Sequence, residues 1–512
     1  MNRTMIRLAL TAALLASTTP VLAAPSALLR CDGFGRRVST GESVARGLVI
    51  LGTLGLFGSA EADNPAARET GDKGIQACTD AMADQRVTGN PIRRAEVFLA
   101  RGFRHYEMGH FAAAEEDAKT AQTMVVPDPA KPAFDRTVGV SALLLQALIR
   151  TAENKPEEAE TLALAAAARR PWGNFTIEQA LTVLMLSPTI SPGEAKLLDR
   201  HFQLWPGSMR AQAREAAGDW AGAASDYAAV IKARVEGDEV LEARRAAVLA
   251  LAGDTAGAEA AVKAVRQRID ELATKASGTD NAAQVAGQKV ARADEMVQLA
   301  RAQLALLAGR TDDAKAVLAG RERWLAPAPI VARVIANAQA KLGNSGIGSL
   351  SLDPAKVLAD ARAVKLNDLS GKKIVGLMMI AWPRYEDIDK ANDFGKDIAL
   401  PVPQVKQETA RDGATLKIGL QREGATDTGN EAMLVLAANV AATRGAAEYA
   451  IVQRNSSLRL PREGLSDAFQ TWQIVFPTDA LWESQKGRSI SIAAVQAELA
   501  PQFPAPPPVA KR

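Results

Sequence analysis

The feature that most constrains this chain is a turn that recurs five times, each time at the same distance from an alanine. The turns are centred on Gly109, Asn154, Gly218, Gly253 and Gly309, and five residues later stand Ala114, Ala159, Ala223, Ala258 and Ala314. Gly, and less often Asn, ends helices in the left-handed conformation, and a small side chain on the next helix allows close packing. The pattern predicts a chain built from helical hairpins.

Residues 93–127 carry this pattern most fully, and their spacing resembles the tetratricopeptide repeat. Counted from Ala95, the matching positions are Phe98, Gly102, Gly109, Ala114 and Ala121. The chain departs from the family pattern at three places, with Arg101 for Leu, His105 for Tyr and Pro127 one place late.

The resemblance implies a stack of helical hairpins whose inner helices line a concave groove that binds protein. On the first repeat the positions expected to face this groove are Glu96, Leu99, Phe103 and Tyr106, while Phe98 is expected in the hairpin core. The alternative is that Leu99 and Phe103 pack against the N-terminal segment.

The later repeats are less regular. The second has Ala159 on its second helix and Pro171 closing it, and successive turns are 45, 64, 35 and 56 residues apart. A steady repeat would be about 34 residues long. The sequence therefore predicts an irregular tetratricopeptide-like solenoid over residues 93–341, with additional segments near 172–192 and 270–289.

A Gly- and Ser-containing stretch at 342–353 predicts a linker, and the pattern changes beyond it. Strands are predicted at 372–382, 415–420, 448–453 and 471–476, and helices at 428–444 and 491–499. A strand, a crossover helix and a strand indicate a small α/β domain over 354–500. The run AMLVLAANVAATRGAAEYAIVQ is faintly similar to small exported lipoprotein domains of alphaproteobacteria. Residues 501–512 are typical of a Pro-rich disordered tail. The predicted fold class is mainly α, a solenoid followed by this small domain.

The first residues indicate export. Residues 1–23 have basic residues, a short apolar core and a small-residue cleavage pattern, which predicts a signal peptide. The protein is therefore expected to be exported to the periplasm, with a secreted or envelope-associated protein as the alternatives. In an oxidising compartment the only two cysteines, Cys31 and Cys78, predict a disulfide within an N-terminal segment 24–92. The apolar stretch 47–58 is expected either to be buried or to form an exposed patch for a membrane or partner.

No recognisable motif points to catalysis, and no cofactor is expected. The three histidines lack metal-ligand spacing, and no phosphate-binding loop or nucleophile elbow is present. The net charge of +3 gives no argument for nucleic acid or for an anionic membrane. The favoured function is a non-catalytic scaffold that binds protein partners. The alternatives are a cell-envelope enzyme, or a structural protein that contacts glycan or membrane, with its site in the C-terminal domain.

Overall fold

The computed structural model describes residues 25–34, 65–187, 189–205, 207–233, 238–276, 280–319, 323–347, 352–369, 408–409, 416–421, 427–459 and 467–503. The predicted signal peptide 1–23, the stretch 47–58, the predicted strand 372–382 and residues 504–512 of the predicted tail lie outside these residues. The chain divides into two compact units, Met1–Asp117 and Ala118–Arg512.

The first unit is a small group of helices, two of which are joined by the disulfide. Its helices are α1 (Ala27–Asp32), α2 (Gly71–Met82), α3 (Gln85–Thr88), α4 (Pro91–Glu107) and the first part of α5 (Phe111–Gln122). The predicted bond between Cys31 and Cys78 is confirmed, and it joins α1 to α2 with both residues fully buried. Arg93 on α4 donates to the Asp32 carboxylate at 2.5 and 3.1 Å, so α4 is also tied to α1.

The second unit continues with helices that pack mainly on their neighbours in sequence. They are α6 (Lys131–Arg136), α7 (Val138–Ala152), α8 (Pro156–Arg169), α9 (Asn174–Leu184), α10 (Pro192–Leu204), α11 (Met209–Ala216), α12 (Trp220–Ala233), α13 (Glu239–Leu251), α14 (Thr255–Lys275), α15 (Asn281–Leu307), α16 (Thr311–Leu318), α17 (Ala328–Ile347) and α18 (Pro354–Leu369). The predicted linker at 342–353 begins inside α17, which is interrupted at Gly343, where φ is 66°.

Left-handed residues stand at all five turns that the sequence singles out. Their φ values are 77° (Gly109), 59° (Asn154), 79° (Gly218), 83° (Gly253) and 76° (Gly309). At each turn the next residue donates its N–H to the carbonyl five positions back, at 2.8–3.1 Å, which satisfies a carbonyl at the helix end. The alanine five residues after each turn is buried. In all five hairpins the first helix therefore ends with the same left-handed turn and hydrogen bond, and the second helix buries an alanine at the same position.

The C-terminal part is a small antiparallel sheet with helices. Its elements are β1 (Glu408–Thr409), β2 (Leu416–Gln421), α19 (Asp427–Thr443), β3 (Glu448–Arg459), β4 (Asp467–Val475), α20 (Trp482–Gln485), β5 (Ile490–Ser491) and α21 (Ile492–Glu498). The strand order is β1-β2-β4-β3-β5. The strands β2 and β3 that flank α19 are not neighbours, because β4 pairs with both of them. Because β4 pairs antiparallel with both, β2 and β3 run in the same direction and α19 connects them across β4. The expected order of strand, crossover helix and strand is therefore present, with one further strand between the two.

Buried polar groups attach α19 to the helices that precede it. Asp427 accepts hydrogen bonds from the backbone N–H groups of Phe175 and Thr176 at 2.8 and 3.1 Å, so it caps the N-terminus of α9. Gly173 permits this approach, because a β-carbon there would lie 2.6 Å from Asp427 Oδ2. Burial raises the pKa of Asp427, while the charge of Arg170 opposes that shift.

A second attachment is made by Arg488. Its guanidinium donates to the carbonyls of Phe202 and Gln203 in the last turn of α10 and to that of Ile451 on β3. A cation at a helix C-terminus satisfies free carbonyls and complements the helix dipole. The sheet and α10 therefore share one buried guanidinium.

Candidate functional site

The four positions expected to line a groove on the first repeat are buried. Glu96, Leu99, Phe103 and Tyr106 are each no more than 5% exposed. Glu96 accepts a hydrogen bond from Arg93, and the Tyr106 ring lies 5.7 Å from the Phe111 ring. The structure thus places these side chains in packing contacts, and this face is not an open binding surface.

Phe98, which the sequence assigns to the hairpin core, is instead partly exposed. The guanidinium carbons of Arg94 and Arg101 lie 5.8 and 5.4 Å from its ring centroid. Arg101 is held there because its Nε and Nη2 donate to both oxygens of Asp117. The helix face that carries Phe98 and Arg101 is therefore partly exposed. The family pattern, with Leu in place of Arg101, predicts a buried hairpin core there.

An open cavity in the second unit is the candidate functional site. It has a volume of about 560 Å³, which lies within the usual range for ligand pockets. Five segments line it: the residues after α9, α11, α13, the start of α17, and α18. We call it the cationic cavity, because its charged lining residues are Arg244, Arg362, Lys365 and a single acid, Glu215.

Arg244, which is partly buried, and Glu215, which is buried, form an ion pair in the wall of the cavity. Arg244 Nε donates to Glu215 Oε1 at 2.9 Å, and Nη2 donates to the other oxygen. Burial disfavours the charged form of Arg244, but the Glu215 carboxylate outweighs burial and raises the pKa of the guanidinium. Tyr227 lies behind the pair, 5.4 Å from the guanidinium carbon, and its pKa is raised by burial and then by Glu215. The negative charge of Glu215, the one acid that lines the cavity, is therefore already balanced by Arg244.

The two remaining cations lie on α18 and are not balanced. Arg362 and Lys365 are three residues apart, so they lie on the same face of the helix. Neither has an ion-pair or hydrogen-bond partner in the described part of the chain. Desolvation and then the charge of Arg244 lower the pKa of Lys365. The cavity therefore carries an uncompensated positive charge.

Much of the remaining lining is apolar. Met185 and Leu186 follow α9, Pro327 and Pro329 flank the start of α17, and Leu358 on α18 is 46% exposed. A ligand that suits both parts of the lining has an anionic group and an apolar group. No sequence motif marks this site as a whole, because its residues come from five segments that are separate in the chain. The only local signal is the Arg362 and Lys365 pair on one helix face.

The remaining structural predictions have less bearing on a site. Gly102 and Ala121 are buried in their helices, and Pro171 is partly buried after α8. Among the described residues no cluster of three or more His, Cys, Asp or Glu side chains is placed to bind a metal ion. In the same residues no helix is both long and apolar enough to span a membrane.

Comparison of the chain with protein-family models, curated proteins and solved structures found no match.

Proposed function

We propose that this chain is an exported, non-catalytic scaffold of the tetratricopeptide type, and that its cationic cavity receives an acidic, partly apolar segment of a partner protein. The observation that carries the proposal is the pair Arg362 and Lys365, which line the cavity without an acidic partner in the described chain. The groove expected on the first repeat has no role in this proposal, because its side chains are buried.

Charge supports an acidic ligand. Three cations and one acid line the cavity, so its net charge is about +2 when all four groups are ionised. Arg244 is already paired with Glu215, which leaves the guanidinium of Arg362 and the ammonium of Lys365 to meet the ligand. Complementary charge accelerates association and favours acidic over basic partners.

The apolar lining supports a ligand with side chains to bury. Leu358, which lines the cavity on α18, is 46% exposed. Burying apolar surface contributes roughly 25 cal/mol per Å², so a single aliphatic side chain adds significantly to affinity. An extended peptide with alternating acidic and apolar residues offers both kinds of contact.

The repeated hairpins support the scaffold part of the proposal. Five turns share a left-handed residue, the same hydrogen bond and a buried alanine. Hairpins of this type bury their apolar faces by stacking on neighbours, and repeat proteins built from them present extended binding surfaces.

The test uses a short fluorescein-labelled peptide of Glu, Leu and Ala and a matched peptide with Lys in place of Glu. We expect fluorescence anisotropy to show binding of the acidic peptide alone, with an affinity that falls as salt rises. The double variant Arg362→Glu with Lys365→Glu should weaken binding by about tenfold or more, since it replaces attraction with repulsion.

The matched control is the double variant Lys341→Glu with Lys356→Glu. It changes the net charge of the chain by the same amount, and neither residue lines the cavity. Equal weakening by both double variants would reduce the effect to overall charge and would reject the cavity as the site. Equal binding of the acidic and basic peptides would reject an acidic ligand.

A further inference from the structure

A second cavity lies between α8 and α10. It has a volume of about 250 Å³ and is open to solvent. Its lining includes Leu164, Ala167 and Ala168 on α8 and Lys196, Leu197 and Arg200 on α10. In each set the residues are three or four positions apart, so one face of each helix lines the cavity. We call it the α8–α10 groove.

The floor of the α8–α10 groove is apolar and accessible. Leu164 is partly exposed and Ala168 is exposed, so a ligand can reach the lining from solvent. The two helices approach closely at Gly193, because a β-carbon there would lie 2.6 Å from Leu164 Cδ1. An apolar cavity of about 150 Å³ binds benzene in another protein. The larger groove therefore has room for a short alkyl chain.

Two cations line the same groove. Lys196 and Arg200 are four residues apart and lie on one face of α10. Lys196 is exposed and has no ion-pair or hydrogen-bond partner among the described residues. None of the described side chains that line the groove is acidic. An apolar floor beside two cations suits a ligand with an alkyl chain and a negative charge.

The guanidinium of Arg200 is held in place by Trp172. Its central carbon lies 3.5 Å from the centroid of the Trp172 ring. The indole N–H of Trp172 donates to Glu498 Oε2 at 2.6 Å, and the same oxygen lies 3.7 Å from Arg200 Nη1, which is longer than a hydrogen bond. Lys196, Arg200 and Glu498 together leave about one positive charge, which matches a ligand with one carboxylate.

We propose that the α8–α10 groove binds a free carboxylic acid with a short alkyl chain. Its carboxylate lies between Lys196 and Arg200, and its chain packs on Leu164 and Leu197. The groove has less than half the volume of the cationic cavity, about 250 Å³ against about 560 Å³, and the two share no residue. This site is therefore independent of the proposed peptide site.

Hexanoate and hexanamide are suitable probes, because they have the same chain and differ in charge. In ligand-observed NMR titrations of the full chain we expect hexanoate to bind about tenfold or more tighter than hexanamide, as for hydrogen bonds to a charged group. Between butanoate and hexanoate each added methylene should tighten binding by about fourfold, since each is buried in the groove.

A variant that fills the groove tests the position of the alkyl chain. Ala168→Phe adds a ring at an exposed lining position and should abolish hexanoate binding. Ala165→Phe is the matched control, because Ala165 is exposed on the same helix and does not line the groove. It should bind hexanoate as the natural chain does.

A second variant tests the position of the carboxylate. Lys196→Gln should weaken hexanoate binding by about threefold to fivefold, as for an exposed ion pair, and should leave hexanamide binding unchanged. Lys232→Gln makes the same substitution at an exposed residue of α12 that does not line the groove, and should affect neither probe.

The double variant Arg362→Glu with Lys365→Glu separates the two sites. It should bind hexanoate normally, because both changes are in the cationic cavity. Loss of hexanoate binding in this variant would overturn the inference, and so would equal affinities for hexanoate and hexanamide or normal binding by Ala168→Phe. Loss of acidic-peptide binding alone would reject the proposed function and leave the groove assignment intact. The comparison of the two probes needs no variant, so it decides the question even if Ala168→Phe does not fold.

Discussion

The Nε atom of Arg170 lies 3.0 Å from Glu431 Oε1, although 261 residues separate them in the chain. Both side chains are about 1% exposed, and Arg136 donates to the second oxygen of Glu431 at 2.9 Å. One carboxylate on α19 is therefore shared by two guanidinium groups on the helical region. Burial lowers the pKa of Arg136 by more than the negative charge of Glu431 raises it, so the pKa lies below the usual value for arginine.

Removing the charge of Glu431 should destabilise the protein strongly. Glu431→Gln removes the carboxylate that Arg170 and Arg136 share and leaves only Asp427, 4.0 Å from Arg170 Nε, as a buried counter-charge. Breaking a buried pair in this way costs about 3–5 kcal/mol. The free energy of unfolding, measured with urea and circular dichroism, should fall by that amount.

Glu483→Gln is the matched control for this change. It makes the same substitution in the Glu483–Lys486 pair, whose side chains are 74% and 59% exposed. Exposed pairs contribute about 0–1 kcal/mol, so little change is expected. Similar losses in the free energy of unfolding in both variants would show that burial does not make the Glu431 contacts stronger than an exposed ion pair.

These contacts also mark the limit of what the sequence alone predicts. The five turns can be predicted because a left-handed residue is largely restricted to Gly or Asn, and this restriction is local. The disulfide can be predicted because only two cysteines are present. Pairing of Arg170 with Glu431 depends on how α19 packs on α9, and no local pattern encodes that packing.

The candidate site illustrates the same limit. The sequence places a binding face on the first hairpin, yet Leu99 and Phe103 are buried while Phe98 is partly exposed. A helix pattern shows which residues share a face, but not which face its neighbours cover. The cationic cavity has no sequence signature for a related reason, since five separate segments must come together before Arg244 lies near Lys365.

Alanine substitutions at two glycines should have opposite effects. Gly218 has a φ of 79°, and no atom lies within 4 Å of an added β-carbon, so Gly218→Ala costs only backbone strain, about 1 kcal/mol. Gly287 lies inside α15, where the nearest atom to an added β-carbon is 4.0 Å away. Gly287→Ala should stabilise by about 0.5–1 kcal/mol. Urea unfolding of both variants tests the turn geometry, and a loss of stability at Gly287 alone would contradict it.

The disulfide should contribute substantially to the first unit. Cys31 and Cys78 close a loop of 47 residues, which corresponds to about 4 kcal/mol in the loop-entropy model. Cys31→Ala with Cys78→Ala should lower the free energy of unfolding by about this amount. Dithiothreitol should destabilise the natural chain and leave the double variant unaffected. Alkylation of both thiols in the oxidised, unfolded protein would show instead that no bond forms.

Glu194 should make the stability of the protein depend on pH. It is 3% exposed on α10, and burial followed by the charge of Glu160 raises its pKa from 4.5 to about 7. The folded state therefore keeps a proton that the unfolded chain releases, so the contribution of Glu194 to the free energy of unfolding is greatest below pH 4.5. This contribution should fall as pH rises toward about 7, because ionised Glu194 is disfavoured only in the fold.

Two variants separate Glu194 from the other titrating groups. Glu194→Gln should remove the decrease in stability, because an amide binds no proton in either state. Glu160→Gln should only reduce it, because this change removes the like charge but leaves Glu194 buried. Urea unfolding between about pH 5 and pH 8 measures the slope of the free energy against pH. A slope that is the same in Glu194→Gln as in the natural chain would assign the pH dependence to other groups.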